Sequence, residues 1–395
     1  MTLNNIHKSY LAGLAKNLHF FGAITIPFFI DWLKVDYTKA FILQAWFVFW
    51  LFVLEIPTGV IADKFGRAIS VALGCLLFGV DMLFFGLATN YYLLFVAEFL
   101  GAAGMTLMSG AEQALIYDSL IELQLEAKAR LYLARYDAAS TLGMLIAFPA
   151  GSLIAGSGNY PARLPIPFLM TAVAAFTAAG AFFWMSEPQR TKPQDGFIRM
   201  GVRGLQTLFW HKDLRAFVFN AVTISAVTFF GFWFYQPAAQ RAGLDVKQLG
   251  FLGAGFNLFS TVLLANMKML EGTFGIRRLL SFTAIIPAVL FLALGIVHKL
   301  GFVIPAFFLI VGCKLVRMPI LSAFINQRIE SENRATVISS VSLLERFLTF
   351  LLYPVIGFLA DVSIDYALFL LGILCAAFAI ATTLRDVHLA PGSHA

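Results

Sequence analysis

Apolar residues in this chain are grouped into long stretches that short polar breaks separate. Each stretch has about 20 residues, the length that crosses the hydrocarbon core of a bilayer as a helix. The stretches do not alternate between apolar and polar positions as barrel strands do, and backbone in lipid must satisfy its own hydrogen bonds, so we expect helices. The fold class predicted is an all-α membrane protein with twelve transmembrane helices. The predicted spans are 11–33, 40–61, 69–90, 92–117, 132–156, 164–186, 214–236, 247–267, 279–298, 301–325, 336–359 and 363–384.

Composition agrees with this pattern, because 60% of the 395 residues are hydrophobic and only 13% are charged. That charged fraction is about half of what soluble domains carry. The first apolar stretch is long and is followed by many others, so we expect it to remain as span 1 and not to be a cleaved signal. Little of the chain is left for soluble domains.

Neither cofactors nor nucleic acid are expected as partners. The net charge is +6, but no basic run is interleaved with aromatic residues. Cys75, Cys313 and Cys375 all lie inside apolar stretches and form no C-x-x-C pair, so we expect buried thiols and no metal site or disulfide framework.

Basic residues predict the orientation in the membrane. Of the 28 Lys and Arg residues, 18 lie in segments that are cytoplasmic if the N-terminus is inside, against six in the outer segments. Since Lys and Arg concentrate on the cytoplasmic side, we expect a multi-pass protein of the plasma membrane, a bacterial inner membrane, with both termini in the cytoplasm.

A polar segment divides the spans into six and six. We predict an N-terminal six-helix bundle over 1–186, a cytoplasmic linker over 187–212 and a C-terminal six-helix bundle over 213–395. The basic stretch from Phe197 to Trp210 is expected to lie against anionic headgroups. Two halves of equal span number are typical of transporters built from parallel repeats.

The break between spans 2 and 3 carries a motif, G-x-x-A-D-K-x-G-R, from Gly59 to Arg67. In sequence, position and sidedness it resembles the loop signature of the major facilitator superfamily. The resemblance implies a latch that helps hold the outward-open state, with gating roles for Gly59, Asp63, Gly66 and Arg67. Ala68 stands where the family usually has another basic residue. The equivalent loop of the second half, from Glu271 to Arg278, keeps Phe-Gly followed by arginine and supports the repeat.

Further stretches resemble bacterial facilitators of the tetracycline and multidrug efflux type, among them Glu55-Ile-Pro-Thr58 and Gly110-Ala-Glu112. Two departures weaken the inference of proton antiport. Span 4 has the carboxylate Glu98 where antiporters of the family often carry an arginine. Span 5 keeps Gly143, Pro149 and Gly151, but not at the family's spacing.

Acidic residues inside the first six spans are the candidates for proton coupling, because an ionisable group at membrane depth usually faces a cavity or a partner. Glu98 and Glu112 are fourteen residues apart, which places them on nearly the same face of an ideal helix. Asp81 lies near the middle of span 3. We expect Glu112 first, then Glu98 and Asp81, to bind the coupling proton; the alternative for each is a structural hydrogen bond between helices.

Basic residues inside span 10 are the first candidates for substrate binding. Lys314 and Arg317 are three positions apart and share a helix face. They either bind an anionic group of the substrate or are neutralised by Glu345 in span 11. The remaining candidates are polar groups that either line the cavity or bond between helices: Arg346, Asn220, Thr223, Asn257 and His19.

These observations favour a secondary transporter that moves a small organic solute by alternating access, with proton-coupled efflux as the first hypothesis. Proton-linked uptake of an organic anion by the same fold is the alternative. A membrane enzyme or receptor is disfavoured, because H-E-x-x-H, C-x-x-C and G-x-S-x-G are absent and no sizeable soluble domain is present. We therefore expect a monomer whose partners are a small-molecule substrate, protons and the lipid bilayer.

Overall fold

The computed structural model describes residues 2–188, 212–328 and 331–381, and this part of the chain is helical without strands. Eleven of its helices or helix pairs are long and apolar enough to cross a membrane. The predicted all-α membrane fold is therefore confirmed. In chain order the helices are α1 Thr2–Lys16, α2 Tyr37–Phe65, α3 Arg67–Leu87, α4 Leu93–Met108, α5 Ala111–Glu122, α6 Ala129–Gly156, α7 Ile166–Phe183, α8 Lys212–Phe229, α9 Gly231–Arg241, α10 Val246–Ala265, α11 Met267–Phe274, α12 Ile276–Leu294, α13 Leu300–Arg328, α14 Ser331–Val362 and α15 Ile364–Ala381.

The first predicted span is not one helix, so the expected continuous helix over 11–33 is wrong. After α1 ends, the chain makes turns, a short helix at Thr25–Pro27 and a π-helical turn at Phe28–Trp32. Irregular backbone at membrane depth is tolerated where neighbouring protein groups satisfy it. Here the Phe20 N–H donates to Thr171 Oγ1 on α7 at 3.0 Å.

The fourth predicted span is interrupted as well. Between α4 and α5 the backbone leaves the helix at Ser109 and Gly110, and Gly110 has a φ of 71°, which favours glycine. The predicted common face for Glu98 and Glu112 assumed a continuous helix and is wrong. Glu98 lies on α4 beside α3, whereas Glu112 contacts α1 and α6.

The described helices form two compact units. Unit 1 contains Met1–Asp36, Trp46–Gln194 and Asp245–Asn257, and unit 2 contains Tyr37–Ala45, Asp195–Leu244 and Leu258–Ala395. Most of each predicted six-helix bundle falls into one unit, while 37–45 and 245–257 are grouped with the other half. Most of the predicted linker, 189–211, lies outside the described residues.

Large apolar side chains lie exposed along the outer faces of the helices. On α12, for example, Phe282, Ile285 and Val289 recur at helical spacing and are 44%, 52% and 58% exposed. Residues at i, i+3 and i+7 lie on one face of a helix. Such a stripe is suited to lipid, where exposed hydrocarbon carries no hydrophobic penalty.

Glycines allow the helices of unit 1 to approach closely. A Cβ on Gly74 of α3 would lie 2.6 Å from the Gly104 carbonyl oxygen, and a Cβ on Gly104 of α4 would lie 2.6 Å from that of Gly74. The two helices are therefore in backbone contact, and α3 packs extensively on both α4 and α7. This contact brings the polar side chains of α3 directly against α4.

Candidate functional site

A largely buried polar network in unit 1 is centred on Glu112. Lys16 Nζ lies 2.6 Å from both carboxylate oxygens, and the Tyr136 hydroxyl donates to Oε2 at 2.8 Å. The Lys16 and Glu112 side chains are only 16% and 12% exposed. Glu112 also lies in the first turn of α5, where the helix dipole favours a negative charge. One carboxylate thus joins α1, α5 and α6.

Two glycines allow α1 and α6 to form this network. A Cβ on Gly13 would lie 2.5 Å from the ring of Tyr136, and one on Gly143 would lie 2.5 Å from the carbonyl oxygen of Leu14. A third glycine of α6, Gly151, has its missing Cβ position occupied by the Phe20 carbonyl oxygen. The glycines that depart from the family's spacing in span 5 therefore pack against span 1.

A second acidic region of unit 1 lies between α3 and α4. Asp81 is 2% exposed and Glu98 is 5% exposed. The Asp81 carboxylate lies over Gly101, where a Cβ would overlap its Oδ2, and Asp81 Oδ1 has no hydrogen-bond partner. Glu98, one turn before Gly101 on α4, acts electrostatically on Asp81. The structure therefore separates the predicted proton-coupling residues into Glu112 and this pair.

Unit 2 buries an arginine instead of a carboxylate. Arg317 on α13 is 0% exposed. Its Nη1 donates to Thr283 Oγ1 at 2.9 Å and to the Leu280 carbonyl at 3.1 Å, and its Nη2 donates to the carbonyl of Asn220 at 3.1 Å and to its Oδ1. The hydrogen bonds of this guanidinium to described residues all end on neutral oxygens, so it ties α13 to α8 and α12.

Lys314, one turn earlier on α13, has a different set of contacts. Its Nζ lies 2.8 Å from Glu345 Oε1 on α14 and 5.1 Å from the centre of the Phe229 ring. Both side chains of the ion pair are mostly buried, at 15% and 17% exposed. The sequence left two roles open for Lys314, binding of substrate or neutralisation by Glu345, and the structure shows the ion pair with Glu345.

Of the other candidates, Thr223 and His19 lie next to these networks: Thr223 Oγ1 donates to the Asn220 carbonyl at 3.3 Å, and His19 interacts with Lys16. Thr223 Oγ1 donates to the Phe219 carbonyl, and Asn257 Nδ2 donates to the Gly253 carbonyl, each within its own helix. Arg346 is half-buried next to Glu345 on α14. His19 lies in the break of span 1, with its ring 5.4 Å from that of Phe78.

The signature from Gly59 to Arg67 is mostly helical, although the sequence suggested a loop. Gly59 and Asp63 lie in the last turns of α2, and Gly66 alone connects α2 with α3. Gly66 has a φ of 109°, so the turn depends on glycine. The Arg67 guanidinium forms an ion pair with Asp118 on α5 and donates to the Ala114 carbonyl at 2.9 Å.

Glu187 completes this end of unit 1 and was not predicted as a functional residue. Its carboxylate accepts the backbone N–H groups of Arg67 and Ala68 at 2.8 and 2.9 Å. Gly66, at the N-cap of α3, has no side chain that could cap the helix, and a carboxylate at a helix N-terminus compensates for this. The one sequence feature that pointed to Glu187 was its position as an acidic residue directly after the sixth predicted span.

No group of three or more His, Cys, Asp and Glu residues that could hold a metal ion occurs in the described ranges. The side chains of the networks described above can bind protons, form ion pairs and make hydrogen bonds. Buried ion pairs that join helices of a multi-pass membrane protein are typical of secondary transporters.

The chain belongs to the Major Facilitator Superfamily, whose family model matches residues 12–313. Membership of this family indicates a transporter and not an enzyme. Among curated proteins it resembles Multidrug resistance protein 2 of Bacillus subtilis (strain 168), with 32% identity over 32% of this chain and 29% of the relative. It also resembles Multidrug resistance protein 1 of the same organism, with 24% identity over 49% of this chain and 47% of the relative. The matches thus cover less than half the length of either relative.

Solved structures show the same fold. The crystal structure of the nucleoside transporter NupG matches with a TM-score of 0.80 and 11% identity, over 98% of this chain and 98% of that chain. The crystal structure of a D-xylose-proton symporter matches with a TM-score of 0.72 and 12% identity, over 96% and 97% of the two chains. At these identities the likeness concerns the fold.

Proposed function

We propose that this transporter exports a small organic solute in exchange for protons, by alternating access. It would work as a monomer in a bacterial inner membrane with both termini in the cytoplasm. Two relatives named multidrug resistance proteins support export of organic compounds. The substrate is a compound of that broad class, and the driving ion is the proton.

The observation that carries the proton-coupling proposal is the Lys16–Glu112–Tyr136 network. The two oxygens of Glu112 accept hydrogen bonds from an ammonium and a phenol, and both act on the ionised carboxylate. When a proton binds Glu112, the carboxyl becomes neutral and the ion pair with Lys16 is lost. Proton binding and the contact between α1 and α5 therefore compete, which links proton occupancy to helix position.

A pH-gradient assay tests this role. In proteoliposomes, Glu112→Gln should abolish accumulation of substrate driven by a pH gradient, while exchange of labelled for unlabelled substrate continues. Glu122→Gln is the matched control, because Glu122 is exposed at the other end of the same helix α5. Gradient-driven accumulation in the Glu112 variant equal to that in the control would contradict the assignment.

The signature around Gly66 is proposed to act as the latch. Arg67 ties the connection between α2 and α3 to Asp118 on α5, within one unit. Asp63, half-buried in the last turn of α2, belongs to the same proposed latch, together with Gly59 and Gly66. Asp63→Asn should change the balance of inward and outward states, measured by labelling single cysteines from either side. Identical labelling of the variant and the parent would count against the latch.

Proton-linked uptake of an organic anion is the second candidate, favoured by the cations Lys314, Arg317 and Arg346. Two of these already bind protein groups: Lys314 is paired with Glu345, and Arg317 is bound by Asn220 and Thr283. The direction of proton movement distinguishes the candidates. Substrate added outside vesicles should acidify the medium for exchange and make it alkaline for cotransport.

A further inference from the structure

Two buried carboxyl groups lie on the closely packed helices α3 and α4. Asp81 has 2% and Glu98 5% of its surface exposed, and both lie in membrane spans. Asp81 Oδ2 occupies the space that a Cβ at position 101 would fill, and the buried Oδ1 has no hydrogen-bond partner. Gly101 thus makes room for the Asp81 carboxyl group, one oxygen of which has no hydrogen-bond partner.

The helices packed against α3 show which charges reach Asp81. From α4, Glu98 acts on it electrostatically. From α7, no ionisable residue is available between Ile166 and Phe183. The break of span 1 contributes His19, whose ring contacts Phe78 one turn before Asp81. The helix α5 packs on α3 less extensively. Two of its acids are already paired, Glu112 with Lys16 and Asp118 with Arg67. Its other ionisable residues, Tyr117 and Glu122, are exposed.

Two neighbouring carboxylates in a medium of low dielectric constant repel each other and lose hydration, so both cannot remain ionised. A single proton resolves the conflict, because a protonated carboxyl can donate to the other. We propose that Asp81 and Glu98 hold one proton between them and form a proton-binding site distinct from Glu112. Its use in transport rests on the proposed proton exchange, whereas its occupancy does not.

The position of the pair suits a site that takes up protons from outside. Glu98 is five residues after the start of α4, and Asp81 is six residues before the end of α3. At about 1.5 Å per residue, both lie roughly 8–9 Å from the connection between these helices. In the predicted orientation this connection faces outward, the side from which an exporter takes its protons.

Infrared spectroscopy of the purified full chain in lipid nanodiscs, without substrate, tests the proton directly. The parent protein at neutral pH should show the carbonyl-stretch band of a protonated carboxyl group. The band should be lost in the double variant Asp81→Asn, Glu98→Gln, whose amides keep the size and hydrogen bonding of the pair. It should persist in Glu126→Gln, which changes an exposed acid in the short helical turn before α6. An unchanged spectrum in the double variant would overturn the proposal.

A second variant keeps both carboxyl groups and moves one of them. A Cβ in Gly101→Ala would overlap Asp81 Oδ2, so the band should shift or disappear, and an unshifted band would count against a shared proton at this place. The assay also separates the two proposals. The expected band in a protein that moves substrate independently of pH would refute proton exchange and leave the pair intact. Proton-driven transport without the band would refute the pair alone.

Discussion

The two helical units each bury a charged side chain among their helices, but with opposite chemistry. In unit 1, Glu112 is balanced by the ammonium of Lys16 and by the Tyr136 hydroxyl. In unit 2, Arg317 is fully buried, and its hydrogen bonds to described residues end on neutral oxygens of Asn220, Thr283 and Leu280. One network holds a charge that a proton can remove. The other holds a charge that a protein does not lose.

This difference indicates where pH can act. A carboxylate paired with an ammonium changes its contacts when it is protonated, so the Glu112 network has two states. The guanidinium keeps the same donors at every working pH, so the Arg317 network is suited to fixing α8, α12 and α13. Unit 2 also contains the ion pair Lys314–Glu345, which joins α13 to α14 as Lys16–Glu112 joins α1 to α5. Replacing members of each network separates structural from titrating roles.

The largest expected effect is on stability in unit 2. Arg317→Met keeps an apolar stem but removes several charge-assisted hydrogen bonds, each about 1.5–3 kcal/mol, and leaves buried acceptors without donors. We expect a loss of about 3–5 kcal/mol, seen as a lower Tm and less folded protein on size-exclusion chromatography. Arg317→Lys keeps the charge but not the planar guanidinium, so its stability should lie between those of the parent and Arg317→Met. An unchanged Tm combined with lost substrate binding would contradict the structural role and indicate that Arg317 binds substrate.

The next effect is on the balance of charges in unit 1. Lys16→Met leaves the Glu112 carboxylate largely buried without its ammonium, which should cost about 3 kcal/mol. Adding Glu112→Gln removes that charge and should recover about 2 kcal/mol, as residues in direct contact do in double-mutant cycles. Thermal unfolding of the four proteins in detergent measures this. Additive losses would show that the two side chains do not depend on each other.

Much of the fold could be predicted because hydrophobic length is a property of each segment alone. The predicted span 164–186 contains α7 at Ile166–Phe183, and the span 363–384 contains α15 at Ile364–Ala381. The sequence did not predict the break in span 1, because there a distant residue supplies a hydrogen bond that the helix backbone would otherwise make. The acceptor for the Phe20 N–H is Thr171 Oγ1. Periodicity treats a span as an ideal helix, so it could not show that α4 and α5 are separate.

The candidate site was less predictable, because its partners are distant in sequence. Spacing identified Glu112 and Arg317 as buried charges, which is a local property. Which group neutralises each charge depends on the rotation of helices far apart along the chain; Lys16 and Glu112 are separated by 96 positions. The same limit applies to the Glu187 cap of α3, which bridges 120 positions.

A smaller effect is expected from the third member of the unit 1 network. Tyr136→Phe removes the 2.8 Å hydrogen bond to Glu112 but leaves the ion pair with Lys16 intact. The loss should be about 1–1.5 kcal/mol in unfolding free energy, less than for Lys16→Met. Thermal unfolding and pH-gradient-driven transport should both report it. Tyr132→Phe on the same helix is the control, and an equal effect there would mean that the Tyr136 hydroxyl has no particular role.

The smallest effect separates the cap of α3 from both buried networks. Glu187→Gln keeps an acceptor for the N–H groups of Arg67 and Ala68 but removes the charge that interacts with the helix dipole. Because this end of α3 is partly open to solvent, we expect a loss of only about 0.5–1 kcal/mol, which shrinks as salt is added. Glu187→Ala, which also removes the acceptor, should cost about 1 kcal/mol more. Thermal unfolding at low and high salt measures both variants. Equal losses for the two variants would show that the cap does not act through its hydrogen bonds, and losses that do not shrink as salt is added would show that it does not act through its charge.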